Sequence, residues 1–154
     1  MDAAPRTFAE LPFDAELAVP VPFACGTDTG YGDPGVNPSA RHLDQRRVTQ
    51  CALSRICGVC GESLARPVAF LGSVEEADRN AFHFPPSHIE CVETALELWS
   101  KDSSAALGYP SPPEAWAVVT TSGFEYIRPT PDTEDGRSVF SPNSVIDDRR
   151  LPQA

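Results

Sequence analysis

Two short motifs that carry cysteine and histidine constrain this sequence more than any other feature. The first is Cys57-Gly-Val-Cys60 and the second, after the 27 residues of 61–87, is His88-Ile-Glu-Cys91. Cysteines separated by two residues reach one metal ion from a tight turn, and residues three apart share one face of a helix. Three thiolates and one imidazole complete a tetrahedral zinc site with no open coordination position. The spacing therefore predicts one structural Zn²⁺ ion with these four ligands.

Proline limits how much of the chain forms regular structure. The sequence has 154 residues, 16 of them proline, concentrated mainly towards the two ends. The remaining central core is small, and a bound metal ion is one of the usual ways in which a small core is stabilised. We expect a Pro/Gly-rich arm and loop over 1–38, a zinc-organised α+β domain over 39–128, and a mostly disordered tail over 129–154.

The number of cysteines and the N-terminal sequence indicate in which cellular compartment the protein is expected. The five cysteines are odd in number, and Met1 is followed by Asp2 and prolines rather than by the basic and apolar segments of a signal peptide. No stretch approaches the 18 apolar residues of a membrane span. In a reducing compartment, cysteine pairs are more often metal ligands than disulfides. We therefore expect a cytoplasmic protein that does not associate with membranes.

The chain is acidic, and its charge is unevenly distributed. The net charge is −10, and residues 61–104 carry −5, from eight acidic and three basic residues. An acidic surface repels phosphate backbones and suits a partner protein with a basic surface. The acidic side chains expected on this surface are Glu75, Glu76, Asp78, Glu93 and Glu97.

One locally basic stretch, Arg41 to Arg55, leaves a second interpretation open. Its arginines are Arg41, Arg46, Arg47 and Arg55. They form either a nucleic-acid contact on an otherwise acidic body or a solvated face that pairs with the protein's own acids.

Three stretches carry signals for the start of a helix. Ser39 is the expected N-cap of a helix that precedes the first cysteine motif. Ser73 and Glu76 have the spacing of a capping box, which predicts one or two helical turns. Ser87–Trp99 begins with a second capping box, completed by Glu90, and shows an apolar stripe at helical spacing. His88 and Cys91 would then lie in the first turn of this helix.

The strand signals lie on both sides of that helix. Val68–Leu71 and Ala81–Phe84 are short apolar runs expected to form a hairpin, and Trp116–Arg128 reads as a C-terminal β-hairpin with its turn near Gly123. The arm over 1–24 carries scattered apolar residues and is expected to dock on the domain.

The order of knuckle, hairpin and helix with two ligands in its first turn resembles the treble-clef zinc finger. The resemblance covers about 45 residues and implies an α+β fold with a zinc-stabilised, treble-clef-like core, an extended N-terminal arm and a C-terminal β-hairpin. The segment from Cys51 to Trp99 is also loosely similar to small, uncharacterised zinc-binding proteins of actinobacteria and phages. Because treble clefs serve nucleases, DNA readers and adaptors, the resemblance does not fix a function.

Other uses of the cysteines and histidines stay open. Cys57 and Cys60 can form a redox pair, and His83 can replace His88 as a ligand. The residues available for a second metal site are Cys25, Cys51, His42 and His83.

The sequence thus favours a non-catalytic zinc module that acts through protein–protein interaction. The alternatives are a nucleic-acid-binding zinc finger that uses the stretch Arg41–Arg55, and an enzyme whose site lies in the glycine-rich loop 24–38. A thiol enzyme of the latter kind would use Cys25 as nucleophile and His42 as base.

Overall fold

The structure is a computed structural model that describes residues 13–14, 19–25, 43–99, 115–131 and 138–152. Its helices are α1 (Gln45–Ser54), α2 (Val74–Arg79) and α3 (Ile89–Trp99). Its strands are β1 (Phe13–Asp14), β2 (Val19–Pro20), β3 (Val68–Ser73), β4 (Ala115–Ile127) and β5 (Val139–Pro152). The described chain is α+β, as the sequence predicts. None of the helices in these ranges is long and apolar enough to cross a membrane.

The central sheet is antiparallel and has the strand order β3-β4-β5. Phe70 of β3 lies opposite Val119 of β4, and Tyr126 of β4 lies opposite Phe140 of β5. The register of β4 against β5 shifts between Thr120 and Thr121, which marks a bulge. β3 is buried along its whole length, and its residue Ala69 forms a backbone bridge with Ser87, which directly precedes the second cysteine motif.

The partner of β3 differs from the sequence expectation. Val68–Leu71 was expected to pair with Ala81–Phe84, but β3 pairs with β4, and Phe82 forms a bridge with Phe140 of β5. The reason is length: β4 offers thirteen residues with a continuous buried run over 116–119. The segment that contains Phe82 ends in two prolines, which cannot donate to a ladder.

The C-terminal hairpin also differs from its predicted form. The stretch Trp116–Arg128 was expected to fold back on itself near Gly123, but it runs through this point as the single strand β4. The hydroxyl of Thr121 donates to the carbonyls of Gly123 and Asn143, so the local irregularity is a bulge rather than a turn. The hairpin of the structure is formed by β4 and β5.

The predicted disorder of the tail does not hold for residues 138–152. They form β5, which pairs with β4 from Val139 opposite Ile127 to Pro152 opposite Ala115. Residues 143–150 of β5 are exposed and include the charged run from Asp147 to Arg150, so the composition of the strand resembles that of a disordered segment. Backbone pairing does not depend on composition, and one fully buried aromatic residue, Phe140, anchors the strand in the core.

Aromatic rings fill the space between the sheet and the loop that leads to α3. The Phe70 ring lies 5.6 Å from Phe82, 5.5 Å from Phe124 and 5.9 Å from Phe140, measured between centroids. Phe140 also lies 5.1 Å from Tyr126. Rings at such distances contribute packing beyond their buried area. This cluster joins all three strands of the sheet to the segment before α3.

The capping box predicted for the short helix is confirmed. The Ser73 hydroxyl accepts from the Glu76 amide, and the Glu76 carboxylate accepts from the Ser73 amide. The second oxygen of Glu76 accepts from the backbone amide of His83 at 3.1 Å. Glu76 is only 3% exposed, so it is a structural residue and does not belong to the acidic surface on which the sequence placed it.

Loss of the cap at α2 gives a first testable result. We expect Ser73→Ala to lower the free energy of unfolding by about 1 kcal/mol, because the Glu76 amide loses its acceptor. Urea denaturation measures the change. Ser54→Ala, at the exposed end of α1, is the matched control and should be near neutral. Equal effects of the two substitutions would contradict the role of the cap.

The N-terminal arm docks where the structure describes it. Val21, Ala24 and Cys25 are buried in the core, as expected for a docked arm. The amide of Asp44, the N-cap of α1, donates to the carbonyl of Ala24 at 2.7 Å. The predicted N-cap of this helix, Ser39, lies outside the described residues.

Candidate metal centre

The first cysteine motif forms a tight turn between α1 and β3. The amide of Gly61 donates to the carbonyl of Cys57 at 2.9 Å, and the amide of Cys57 donates to the carbonyl of Glu62 at 2.8 Å. Gly61 has φ of 77°, a left-handed conformation that costs glycine little. The turn closes on itself and presents the thiols of Cys57 and Cys60 on one side.

Gly58 ties this turn to the segment that precedes α3. Its amide donates to the carbonyl of Pro86 at 3.0 Å. A Cβ atom at this position would lie 3.0 Å from the Phe84 ring and 3.1 Å from Pro85 Cβ. A side chain at this position would therefore fit only tightly, because the turn lies directly against the chain that leads to His88.

The second motif occupies the start of α3. The helix begins at Ile89, and the amide of Val92 donates to the carbonyl of His88 at 3.0 Å. Cys91 therefore lies in the first turn of α3, as predicted, whereas His88 immediately precedes the helix instead of lying inside it. The expected cap differs: the Ser87 hydroxyl donates to the carbonyl of Pro85, and the Ser87 backbone forms a bridge with Ala69 of β3.

The four ligand atoms converge on one point. The Sγ atoms of Cys57, Cys60 and Cys91 and a ring nitrogen of His88 all lie within 4.8 Å of one another. The Nδ1 atom of His88 is 3.4 Å from Cys60 Sγ and 3.7 Å from Cys91 Sγ. With Zn–S bonds of about 2.3 Å and Zn–N bonds of about 2.0 Å, tetrahedral geometry places nitrogen and sulfur ligands about 3.5 Å apart. The spacing of the donors therefore fits a tetrahedral metal ion.

The ring of His88 is oriented by a contact outside the cluster. Its Nε2 atom lies 2.8 Å from the carbonyl oxygen of Ser63. A carbonyl only accepts, so Nε2 carries the proton and Nδ1 offers its lone pair to the cluster. Metal-binding histidines commonly have such a partner on the second ring nitrogen. Ser63 thus selects the tautomer that a ligand needs.

Cys57 is the group of the cluster that loses its proton most readily, and its neighbours donate hydrogen bonds to the resulting thiolate. Burial raises the pKa of the Cys57 thiol, but hydrogen bonds from Cys60, from Cys91 and from His88 in its protonated, doubly donating form outweigh burial and bring this pKa well below its usual range. The hydrogen bond to Cys57 in turn raises the pKa of Cys60, Cys91 and His88. A divalent cation displaces such protons when it binds. Metal binding here would therefore release protons to solution.

Of the other candidate metal ligands, the described residues Cys25, Cys51 and His83 are not part of this cluster. The Nδ1 atom of His83 contacts the carbonyl oxygen of Ser138 at 3.0 Å, and the cluster contains His88 instead. Burial raises the pKa of the Cys51 thiol well above its usual range, which suits a small buried side chain. Cys25 is 1% exposed. His42 and the loop residues 26–38 lie outside the described part of the chain, so the predicted thiol site is not tested.

Two arginines of the predicted basic face contact their own protein. The guanidinium of Arg47 donates to the carbonyl of Phe23 at 3.0 Å and lies 4.7 Å from the centre of the Phe23 ring. The guanidinium of Arg55 lies 5.5 Å from the centre of the Phe124 ring. Both contacts are of the cation–π type. Because of these contacts, Arg47 and Arg55 are less available to a nucleic acid than the sequence suggests, and Arg41 lies outside the described residues.

The acidic surface is partly neutralised by β5. Glu93 and Arg149 form a salt bridge at 2.8 Å, and Asp78 and Arg150 form one at 2.6 Å. These pairs are exposed, so each contributes little to stability. They do lower the net charge presented by α2 and α3. Of the five acids expected on this surface, Glu75 and Glu97 are exposed and form no salt bridge with another residue that the structure describes.

Sequence reasoning missed the contacts between the arm and the first cysteine motif. The amides of Phe23 and Ala24 donate to the carbonyls of Val59 and Gly58, both at 2.9 Å. These contacts are made by backbone atoms, so the residue types of the arm do not predict them. The one available signal is Phe23 itself, an aromatic residue in a proline-rich stretch.

Comparison with known proteins gives no match: no family model matches the sequence, and no curated protein or solved structure is similar to it. Any statement about function therefore depends on the geometry of the chain itself.

Proposed function

We propose that the chain is a non-catalytic binding module organised around one structural zinc ion, with Cys57, Cys60, His88 and Cys91 as ligands. The observation that carries this proposal is the convergence of four protein donors within 4.8 Å. Four protein ligands, three of them thiolates, saturate a tetrahedral zinc ion and leave no position for water or substrate. A site of this kind stabilises a fold and supplies no Lewis acid for catalysis.

The ligand arrangement supports a treble-clef-like core. One ligand pair comes from a turn and the other from the N-terminal end of α3, and the β3 strand lies between them in the chain. The strand that pairs with β3 comes from later in the sequence, so the proposed core is an elaborated version of the treble clef. Zinc would hold the turn against α3 across the gap that separates the two motifs.

The charge of α3 supports a basic partner. Glu90, Glu93 and Glu97 are exposed along this helix, and the chain carries a net charge of −10. Acidic surfaces steer basic proteins into contact through their long-range field. The internal cation–π contacts of Arg47 in α1 and of Arg55 at the C-cap of this helix make the nucleic-acid alternative weaker. We therefore favour a protein partner whose contact surface is basic.

A binding experiment separates these alternatives. We expect the full chain with zinc to bind a fluorescent oligolysine peptide at low salt, with anisotropy as the readout and weakening as salt increases. The double substitution Glu90→Gln and Glu97→Gln should weaken binding several-fold. Glu125→Gln, an exposed acid on β4, removes charge elsewhere and should change affinity less.

Two outcomes would argue against a basic protein partner. One is equal weakening by the α3 and β4 substitutions, which would indicate attraction by net charge alone. The other is tighter binding of a DNA or RNA oligonucleotide that is lost in Arg46→Ala, which would favour the nucleic-acid alternative.

A further inference from the structure

Two peptide groups inside the first cysteine motif have an unusual position. They join Gly58 to Val59 and Val59 to Cys60. The amide of Val59 donates to Cys57 Sγ at 3.3 Å, and the amide of Cys60 donates to the same sulfur at 3.4 Å. Both amides therefore point towards the ligand cluster and stabilise negative charge on this sulfur.

The carbonyls of the same two peptide groups point the other way. A trans peptide is planar, and its carbonyl and amide point in opposite directions. The Gly58 carbonyl accepts from the Ala24 amide, and the Val59 carbonyl accepts from the Phe23 amide, both at 2.9 Å. Each rigid group thus bonds the metal-binding sulfur on one side and the N-terminal arm on the other.

Side chains hold the arm in the same place. A Cβ atom on Gly61 would lie 2.9 Å from the Phe23 ring, so this ring lies directly on the turn. Arg47 contacts both the carbonyl and the ring of Phe23. Beyond these contacts, the Cys25 side chain is 1% exposed. The arm therefore covers the turn on the side opposite to the ligand cluster.

We propose that metal binding and arm docking are coupled through these two peptide groups. A metal ion that fixes Cys57 Sγ fixes the direction of both amides, and with it the direction of the carbonyls that bind the arm. Hydrogen bonding at one end of a peptide group also polarises the other end. The inference rests on the proposed metal site, and it adds that the metal controls whether residues 19–25 stay docked.

Coupling of this kind is reciprocal. If the metal strengthens arm docking by some factor, an intact arm strengthens metal binding by the same factor. Substitutions that remove side-chain contacts of the docked arm, at residues that are not ligands themselves, should then change metal affinity. If arm docking and metal binding were independent, these substitutions would not change the zinc affinity.

The test measures zinc affinity of the full chain by competition with a chromophoric chelator. Arg47→Ala and Phe23→Ala should each weaken zinc binding about 5-fold or more, the lower range of coupling between sites. Arg46→Ala removes the same charge from an exposed position on α1 and serves as the control. In zinc-loaded protein, N-ethylmaleimide should label Cys25 faster in Arg47→Ala and Phe23→Ala than in the wild-type chain. The labelling rate of Cys51 serves as the measure of global opening.

These measurements distinguish failure of the proposed coupling from failure of the proposed metal site. Weaker zinc binding together with faster labelling of Cys25 relative to Cys51 supports the coupling. Zinc affinity within about twofold of wild type in both variants, despite faster Cys25 labelling, overturns it and leaves the metal site intact. Unchanged Cys25 labelling also overturns it, because the arm would then be held by other contacts. Failure of the wild-type chain to bind zinc would instead reject the metal site.

Discussion

Replacing Cys91 with serine is expected to abolish both stoichiometric zinc binding and cooperative folding. Cys91 lies in the first turn of α3 and is 3% exposed. Structural zinc contributes about 10–16 kcal/mol in small zinc domains, which equals or exceeds the usual stability of a domain, about 5–15 kcal/mol. A site with one thiolate missing therefore cannot hold the turn against the helix. Metal content per chain and near-UV circular dichroism measure the two effects.

A second cysteine substitution separates loss of a ligand from loss of a buried thiol. Cys51 is as buried as Cys91 but lies outside the ligand cluster. Cys51→Ala should keep one zinc per chain and cooperative unfolding, with a modest loss of stability from the smaller side chain. Retention of zinc by Cys91→Ser, or loss of zinc by Cys51→Ala, would contradict the assigned ligands.

Truncation of Phe140 to alanine should lower the free energy of unfolding by about 3–5 kcal/mol. The Phe140 side chain is fully buried and lies against the rings of Phe70, Phe124 and Tyr126. Its removal leaves a cavity at the point where β5 also forms a bridge with Phe82. Urea denaturation followed by tryptophan fluorescence gives the change in stability.

Ile146 provides a matched control on the same strand. Its side chain is 61% exposed, so Ile146→Ala should change stability by less than about 0.5 kcal/mol. Similar small effects of both substitutions would mean that β5 contributes little to the core. This result would restore the disordered tail that the composition of residues 129–154 predicts.

The ligand cluster could be predicted because its determinants are local. In C-x2-C the turn geometry sets the distance between the two thiols, and in H-x2-C the helix sets the distance between His88 and Cys91. Only one long-range step remains, the approach of the two motifs. The tautomer of His88 was beyond prediction, since it depends on the carbonyl of Ser63, a backbone atom with no sequence signature.

The sheet was harder to predict because its pairing is long-range. Val68–Leu71 has the composition of a strand, but the choice of β4 as its partner depends on a segment more than forty residues away. The strand β5 was missed because its exposed positions carry aspartates and arginines, and Phe140 alone marks its buried end. A strand is recognised from its sequence only where apolar residues of the buried face alternate with polar residues of the exposed face.

The contacts of the arm illustrate a second limit. Apolar residues in the first 24 positions predict docking in general terms, and the burial of Val21 and Ala24 agrees. The place of docking is set by two backbone hydrogen bonds to Gly58 and Val59. Any residue other than proline can donate such bonds. Apart from the aromatic residue Phe23, the sequence therefore gives little indication of where the arm docks.

The most direct test of the central claim is the metal content of the wild-type chain purified without added zinc. Inductively coupled plasma mass spectrometry should find one zinc ion per chain, and Co²⁺ substitution should give the absorption of a tetrahedral site rich in thiolate. Removal of the metal by a chelator should then unfold the chain reversibly. A cooperatively folded chain without bound metal would contradict the account, and Cys57 and Cys60 would become candidates for a redox pair.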